Sequence, residues 1–194
     1  MAKHFISAQT LLDDAFELAA RVIESGFRPD GIIALWRGGT PVGIAVQELF
    51  EHCGLAVDHI AIRTSLYSGV DRREDRVKVH NLDYIVNNFT RDNKLLIVDD
   101  VFDTGLTMQA VLAEIRNNLG SGQHGDIRVA VPWFKPARNR TAIRPDYFLH
   151  ETDDWLVFPH EICDLDDEDI AAKGGEVAGI VRRVDALMPK KPTL

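Results

Sequence analysis

The chain has 194 residues, of which 45% are hydrophobic and 27% charged, as in ordinary globular proteins with one sizeable core. Its formal net charge of −8 argues against a nucleic-acid-binding surface, because phosphate backbones select basic patches. No apolar run approaches the ~20 residues that a membrane span needs, and the N-terminus shows no secretion signal. Cys53 and Cys163 match no metal-binding spacing and indicate free thiols in a reducing compartment, so we expect a cytoplasmic protein.

Helical and extended segments alternate along the chain. Ser7 can cap a first helix from Ala8 to Glu24, whose apolar residues share one face, and Gly26 can end it. Strands are predicted at Gly31–Leu35, Val57–Ile62, Leu95–Val98, Ile127–Val131, Tyr147–His150 and Trp155–Phe158. Further helices are predicted at Pro41–His52, Thr104–Leu119 and Ile170–Met188. The alternation predicts an α/β fold with a doubly wound, mostly parallel sheet, which binds ligands at the carboxyl ends of its strands.

The first of these strands ends in the sequence Trp36-Arg37-Gly38-Gly39, and a helix follows from near Pro41. The N–H groups that glycines expose, together with a fixed guanidinium, can stabilise charge that grows on a departing group. The alternative is an ordinary strand-to-helix turn that uses glycine. Arg37 and Gly38 are therefore candidate anion-binding residues.

The stretch from Leu95 to Val111 combines a short buried strand, an acidic strand end, a glycine-containing turn and an amphipathic helix. The first N–H groups of a helix have no internal partner and lie at the positive end of its dipole, so this turn can bind an anion. Gly105 lets the backbone approach that anion, and the hydroxyls of Thr104 and Thr107 can add hydrogen bonds.

The two carboxylates at this strand end, Asp99 and Asp100, would repel a bare phosphate, so they need another role. They can accept hydrogen bonds from sugar hydroxyls or help to hold a hard cation such as Mg²⁺. A phosphate at one end and a diol with magnesium at the other indicate a phosphorylated sugar. The plain alternative is a solvated acidic pair followed by a helix cap. The spacing matches neither a P-loop nor a Rossmann turn.

Aromatic residues and a lysine stand in two later segments, Trp133–Arg138 and Trp155–Glu161. An aromatic face with a lysine suits a flat heterocycle that carries a carbonyl group, through stacking and a hydrogen bond to the oxygen. The alternative is a core strand with an aromatic anchor and an unrelated surface lysine.

The residues from Leu95 to Thr107 resemble the PRPP-binding signature of the type I phosphoribosyltransferases, PRPP being 5-phosphoribosyl-1-pyrophosphate. The resemblance covers roughly residues 5 to 162 and leaves residues 170–194, a C-terminal helix and tail, outside it. It implies a single domain over residues 1–194, with a small hood formed by N-terminal and C-terminal segments, and a homo-oligomer, either a dimer or a tetramer. By this resemblance PRPP would be bound by Arg37, Gly38, Asp99, Asp100, Asp103, Thr104, Gly105, Leu106 and Thr107.

The aromatic segments resemble the 6-oxopurine branch of that family, especially its xanthine–guanine type. Lys135 would then contact the purine 6-oxygen, Trp155 would stack on the ring, and backbone groups of Leu156 would read the ring edge. The resemblance implies Mg²⁺ as cofactor, held at Asp99 and Asp100. Glu161 would reach a second magnesium ion, although many relatives have aspartate there.

The resemblance also implies roles for the turn and for a flap. Asp103 would be the general base that takes the proton from the attacking purine nitrogen; its alternative role is to cap the following helix. A cis peptide is expected between Trp36 and Arg37. The charged segment from Arg63 to Lys78 is predicted to be a solvated loop that closes over PRPP, with Ser65 and Tyr67 as candidate flap residues.

The implied activity is purine salvage: transfer of the phosphoribosyl group from PRPP to hypoxanthine, guanine or xanthine. Two alternatives stay open. One is a PRPP-sensing regulator without catalysis, and the other is a phosphoribosyltransferase for another base.

Overall fold

The computed structural model describes residues 3–67, 76–80, 82–119, 125–163 and 165–187. The chain forms two compact units, which we call the sheet unit (residues 11–153) and the terminal unit (residues 1–10 and 154–194). The two ends of the chain therefore do build one unit together, as expected. The N-terminal helix beyond its first turn and residues 133–153 belong to the sheet unit. The single domain over 1–194 stays a prediction.

The described part of the chain contains nine strands, six α-helices and one 3-10 turn. The strands are β1 (Lys3–Phe5), β2 (Gly31–Trp36), β3 (Asp58–Tyr67), β4 (Arg76–His80), β5 (Leu95–Val98), β6 (Val101–Phe102), β7 (Ile127–Phe134), β8 (Tyr147–Glu151) and β9 (Trp155–Val157). The helices are α1 (Ala8–Glu24), α2 (Gly39–His52), α3 (Asp83–Asn88), α4 (Leu106–Asn118), α5 (Asp167–Ala172) and α6 (Val177–Asp185).

The sheet unit contains a seven-stranded sheet in the order β4-β3-β2-β5-β7-β6, and β8 also pairs with β7. Every pairing is parallel except that of β3 with β4. Parallel sheets are buried on both faces, and β2, β5 and β7 accordingly read as nearly continuous apolar runs. The predicted α/β fold with a mostly parallel sheet is confirmed.

The two faces of the sheet carry different helices. Ile33 and Ile97 on one face join a core with Val111 and Leu112 of α4. On the other face, Gly43 of α2 lies so close to Ala34 of β2 that a Cβ at position 43 would be 2.7 Å from the Ala34 Cβ. Because side chains alternate along a strand, the central strands contribute to both layers, which is the doubly wound arrangement.

The segment from Arg63 to Lys78 is not a loop at its two ends, and this part of the prediction was wrong. Arg63–Tyr67 extends β3, and it pairs antiparallel with Arg76–His80. Valines alternate with charged residues along β4, and Val79 packs against the core, so one face of this arm is apolar enough to hold it in the sheet. Residues 68–75 and the Tyr67 side chain lie outside the described residues.

The last predicted helix, Ile170 to Met188, is also corrected. Two short helices, α5 and α6, replace it, and Gly174 and Gly175 between them have φ values of 72° and 63°. A left-handed backbone at two successive residues cannot continue a right-handed helix. Met188 and the tail lie outside the described residues.

Candidate active site

The first site element is formed by the ends of two neighbouring parallel strands. Because Ala34 of β2 pairs with Val98 of β5, the residues that follow both strands emerge at one edge of the sheet. The peptide between Trp36 and Arg37 is cis, as the resemblance implied, and Arg37 is exposed. The Arg37 turn and the acidic strand end therefore lie side by side.

The two glycines of this turn are required because neighbouring atoms occupy the space of a side chain. A Cβ at Gly38 would overlap the carboxylate of Asp100. A Cβ at Gly39 would lie 2.5 Å from the backbone oxygen of Val98 and 2.7 Å from the Cα of Asp99. Helix α2 begins at Gly39, so its first turn is packed directly against the acidic strand end.

The negative charge of Asp99 is unfavourable in its surroundings. Asp100 is buried and Asp99 half-buried, and the Asp99 Oδ1 atom accepts a hydrogen bond of 3.0 Å from the Asp100 backbone N–H. Burial, followed by repulsion from the Asp100 carboxylate, raises the pKa of Asp99 well above its ordinary value. A site that destabilises adjacent negative charges is suited to a cation or to hydroxyl donors.

The second site element is the turn between β6 and α4. Gly105 stands before α4 with φ 77°, and Asp103 provides no side-chain cap for the helix, so the alternative capping role is not seen. A cavity of about 200 Å³ opens here. It is lined by Asp99, Val101, Phe102, Asp103, Thr104, Gly105, Thr107 and Met108. Five of the predicted PRPP residues thus surround one cavity.

Lys135 joins this element from the end of β7. The residue is buried, with 5% exposure, and its backbone N–H donates to the Phe102 carbonyl at 2.9 Å. Its Nζ atom lies 3.8 Å from Oδ2 of Asp103. The sheet register of β6 and β7 sets this contact, because Phe102 pairs with Phe134, the residue before Lys135. The structure therefore brings the predicted base-recognition lysine next to the predicted general base.

Arg138 is a residue at this site to which the sequence assigned no role. Its Nε atom lies 2.6 Å from Oδ1 of Asp103 in an ion pair. The following residues also hold the turn, because the Arg140 N–H donates to the Thr104 carbonyl at 2.9 Å. A Cβ at Gly105 would lie 2.6 Å from the Thr141 hydroxyl, so this glycine is fixed by packing as well as by its backbone angle.

The remaining predicted base-site residues lie in the terminal unit. Strand β1 pairs with β9 in parallel, so that His4 is opposite Leu156. Leu156 is buried, whereas Trp155 is 52% exposed and free to offer a ring face. The Glu161 carboxylate accepts a hydrogen bond of 3.2 Å from the Phe158 N–H. This contact shapes a local turn and leaves the proposed metal role of Glu161 a prediction.

The candidate flap residues have unequal support. The Ser65 hydroxyl shares a hydrogen bond of 3.0 Å with Nε2 of His80, across the β3–β4 pairing. Ser65 thus links two strands in the described structure, and a role in closure stays a prediction for both Ser65 and Tyr67.

No group of three or more His, Cys, Asp or Glu side chains among the described residues could by itself hold a metal ion. No helix in the described part of the chain has the length and apolar character to cross a membrane.

The chain is similar to known proteins both in its sequence family and in its structure. A family model described as "Phosphoribosyl transferase domain" matches residues 5–167. A purine phosphoribosyltransferase from Pyrococcus horikoshii OT3 is 26% identical, with a TM-score of 0.65, and the match covers 86% of this chain and 98% of that one. No curated protein matches.

Two further solved structures, at 22% identity, show the fold alone. A Neisseria gonorrhoeae protein described as hypothetical, with bound ppGpp, has a TM-score of 0.68 over 93% of this chain and 97% of that one. A Helicobacter pylori xanthine-guanine-hypoxanthine phosphoribosyltransferase has a TM-score of 0.63 over 81% of this chain and 92% of that one.

Proposed function

The chain belongs to the phosphoribosyl transferase domain family, and on this premise we propose that it uses PRPP to convert a 6-oxopurine into its nucleoside 5′-monophosphate. The acceptor is hypoxanthine, guanine or xanthine, pyrophosphate leaves, and the role is purine salvage. The observation that carries the proposal is the 3.8 Å separation between Nζ of Lys135 and Oδ2 of Asp103 beside the cavity of the α4 turn. The 26% identical purine phosphoribosyltransferase from P. horikoshii supports the choice of a purine.

This pair of groups suits one edge of a 6-oxopurine. Lys135 is a cationic donor and fits the 6-oxygen, which is an acceptor, while a carboxylate next to it can accept the proton of the neighbouring N7. An adenine ring would instead turn the donor hydrogens of its 6-amino group toward the ammonium group. Because an unmatched buried donor is costly, the site should select against adenine.

The turn before α4 and the turn before α2 would hold the two phosphate groups of PRPP. Thr104, Gly105, Leu106 and Thr107 offer N–H groups and hydroxyls to the 5-phosphate, at the positive end of α4. Arg37 and Gly38 lie beside the acidic strand end and would bind the pyrophosphate. Transfer passes through a cation-like ribose, so most of the rate enhancement would come from positioning and from stabilising the leaving charge.

Asp99 and Asp100 fit a Mg²⁺ ion that arrives with PRPP. Mg²⁺ is commonly bound by one or two carboxylates together with substrate oxygens, so the lack of a larger cluster in the described residues is no obstacle. Burial and the neighbouring Asp100 carboxylate raise the pKa of Asp99, and a bound cation would offset both effects. When bound, the ion would supply positive charge for the ribose hydroxyls and the pyrophosphate.

Other predicted roles rest on the resemblance alone. Trp155 would stack on the base, Leu156 would read its edge through the backbone, and Glu161 would assist a second Mg²⁺ ion. Location in the cytoplasm and assembly as a dimer or tetramer also stay predictions.

The deciding experiment is a spectrophotometric assay with PRPP, Mg²⁺ and each of hypoxanthine, guanine, xanthine and adenine. We expect turnover of at least one 6-oxopurine and none of adenine. Turnover of adenine alone would replace the proposed acceptor by another base. No turnover with any base, while calorimetry still detects PRPP binding, would favour the PRPP-sensing regulator.

A further inference from the structure

The two oxygens of the Asp103 carboxylate have different surroundings. Oδ1 is buried and lies 2.6 Å from Nε of Arg138 in an ion pair, although it accepts no well-aligned hydrogen bond. Oδ2 lies 3.8 Å from Nζ of Lys135, and the side chain as a whole keeps 33% exposure. Arg138 therefore contacts one oxygen of the Asp103 carboxylate, and the other oxygen lies near Lys135, where a ligand can reach it.

The backbone that follows β7 sets the positions of both cations. Pro136–Arg138 form a single 3-10 turn, and the Arg138 N–H donates to the Lys135 carbonyl at 3.1 Å. Lys135 stands directly before this turn and Arg138 ends it, and both side chains reach the Asp103 carboxylate. Proline at the start of the turn fixes its φ angle and limits alternative conformations.

The residues after Arg138 are also fixed. The Asn139 side-chain amide donates to the Ile143 carbonyl at 2.8 Å, and its oxygen accepts from the Thr141 N–H at 2.9 Å. The Arg140 N–H is bonded to Thr104, in the same turn as Asp103. The segment that follows Arg138 is therefore hydrogen-bonded to the turn that contains Asp103.

We propose that Arg138 is a positioning residue that holds Oδ1 of Asp103 and so directs Oδ2 toward the N7 proton of the purine. This inference rests on the proposed function, because Arg138 acts only through Asp103 as general base. The contact is a close ion pair and not an aligned hydrogen bond, so Arg138 holds Oδ1 through its charge and its position. Lysine at position 138 would restore the charge but would place it differently, because its side chain ends in a compact ammonium group and not in a planar guanidinium.

A double-mutant cycle tests the proposal. Arg138→Gln should lower kcat by about 10- to 100-fold, the range expected when a reacting group is misplaced, and should change the KM for PRPP by less than about 3-fold. Arg138→Lys should recover part of the lost kcat. In an Asp103→Asn background, Arg138→Gln should lower kcat by less than about 2-fold, because the group through which it acts is already removed.

Arg144→Gln is the matched control, because its side chain is 64% exposed and pairs with Glu151 instead of Asp103. It should leave kcat near that of the wild type. Melting temperatures identify any variant that is unfolded, and Arg138→Lys provides the kcat reading if Arg138→Gln does not fold.

The outcomes separate the two proposals. Wild-type turnover together with an unchanged kcat in Arg138→Gln overturns the positioning role and leaves the proposed function intact. If the kcat losses of Asp103→Asn and Arg138→Gln multiply in the double variant, the two residues act independently, and this result also overturns the positioning role. Absence of wild-type turnover with every 6-oxopurine overturns both.

Discussion

The turn before α2 and the turn before α4 both offer helix N–H groups at a strand end, but they depend on glycine for different reasons. At Gly38 and Gly39 the neighbouring acidic strand end fills the space of a side chain. At Gly105 the backbone is left-handed, and the Thr141 side chain also approaches. The turn before α2 is thus determined by the neighbouring end of β5. The turn before α4 is determined by its own backbone conformation and by the segment after β7. The anion-binding role that we propose for both turns would therefore rest on two different structural origins.

The largest expected effect separates the two turns chemically. Asp103→Asn, in the α4 turn, should lower kcat by about 100- to 10,000-fold, because the amide cannot take the purine proton. PRPP affinity should stay within about 3-fold, since the phosphate-binding N–H groups are unchanged. Steady-state kinetics and calorimetry measure the two quantities. A kcat like that of the wild type would remove Asp103 from the proposed chemistry.

Base recognition should depend on Lys135, which lies at the end of β7 next to Asp103 of the α4 turn. Lys135→Met keeps the apolar length of the side chain and removes the cation next to Asp103. We expect kcat/KM for the preferred 6-oxopurine to fall by about 100-fold, which is the scale of one lost charged hydrogen bond. KM for PRPP should change little, and equal losses for PRPP and for the base would contradict the assignment.

Steric demand in the α2 turn predicts a loss of stability. Gly39→Ala should lower the free energy of unfolding by about 3 kcal/mol, since its Cβ would meet backbone atoms that cannot rotate away. Gly179→Ala is the control, because a Cβ at this position in α6 meets nothing within 4 Å. It should stabilise the protein by up to about 1 kcal/mol. Urea denaturation compares the two variants.

Gly105 and Gly54 form a second matched pair, with φ values of 77° and 75°. Both alanine variants should lose about 1 to 2 kcal/mol from the left-handed backbone. Only at Gly105 would the new Cβ also contact neighbouring side chains, whereas at Gly54 it meets open space. Urea denaturation should therefore show the larger loss for Gly105→Ala, and equal losses would show that backbone angle alone determines both.

The smallest predicted effect concerns pH and Asp99, next to the α2 turn. Because its pKa is raised in the folded state, Asp99 binds its proton more tightly there than in the unfolded chain. Its contribution to stability is complete below the ordinary value of 3.8 and is lost as pH rises through the folded pKa. Asp99→Asn does not ionise, so without Mg²⁺ it should melt above the wild type at pH 7.

Melting curves from pH 4 to pH 8, in a buffer with a metal chelator, measure this difference. The gap between Asp99→Asn and the wild type should narrow toward pH 4, where Asp99 is increasingly protonated. A gap that is constant with pH would show that the substitution acts by another route.

The parts of the molecule that the sequence predicts well are those with a local cause. The apolar run Leu95–Val98 and the amphipathic helix Ala8–Glu24 are found with the predicted bounds, because burial and periodicity determine them. Strand β4 was missed because nothing local marks it as a strand, and Val79 packs against the core only when β4 pairs with β3. Helix α6 was merged with α5 because apolar spacing continues across Gly174 and Gly175, whose backbone angles the spacing does not reveal.

Site residues follow the same division. The Asp99–Thr107 loop was predicted because strand, acidic pair and glycine turn are contiguous. No local pattern assigned Arg138 a role, because its partner, Asp103, lies 35 positions earlier in the chain. The two residues come into contact only when β6 pairs with β7. The 3-10 turn that follows Lys135 is too short to leave a periodic signal.

The pairing of β1 with β9 joins residues 3–5 to residues 155–157, and this has a consequence for biosynthesis. Residues 3–5 are translated before residues 155–157, so β1 lacks the strand with which it pairs until β9 has been made. The sheet unit is complete in sequence by residue 153 and can begin to fold earlier. Pairing of β1 with β9 therefore waits until the whole of the sheet unit has been translated.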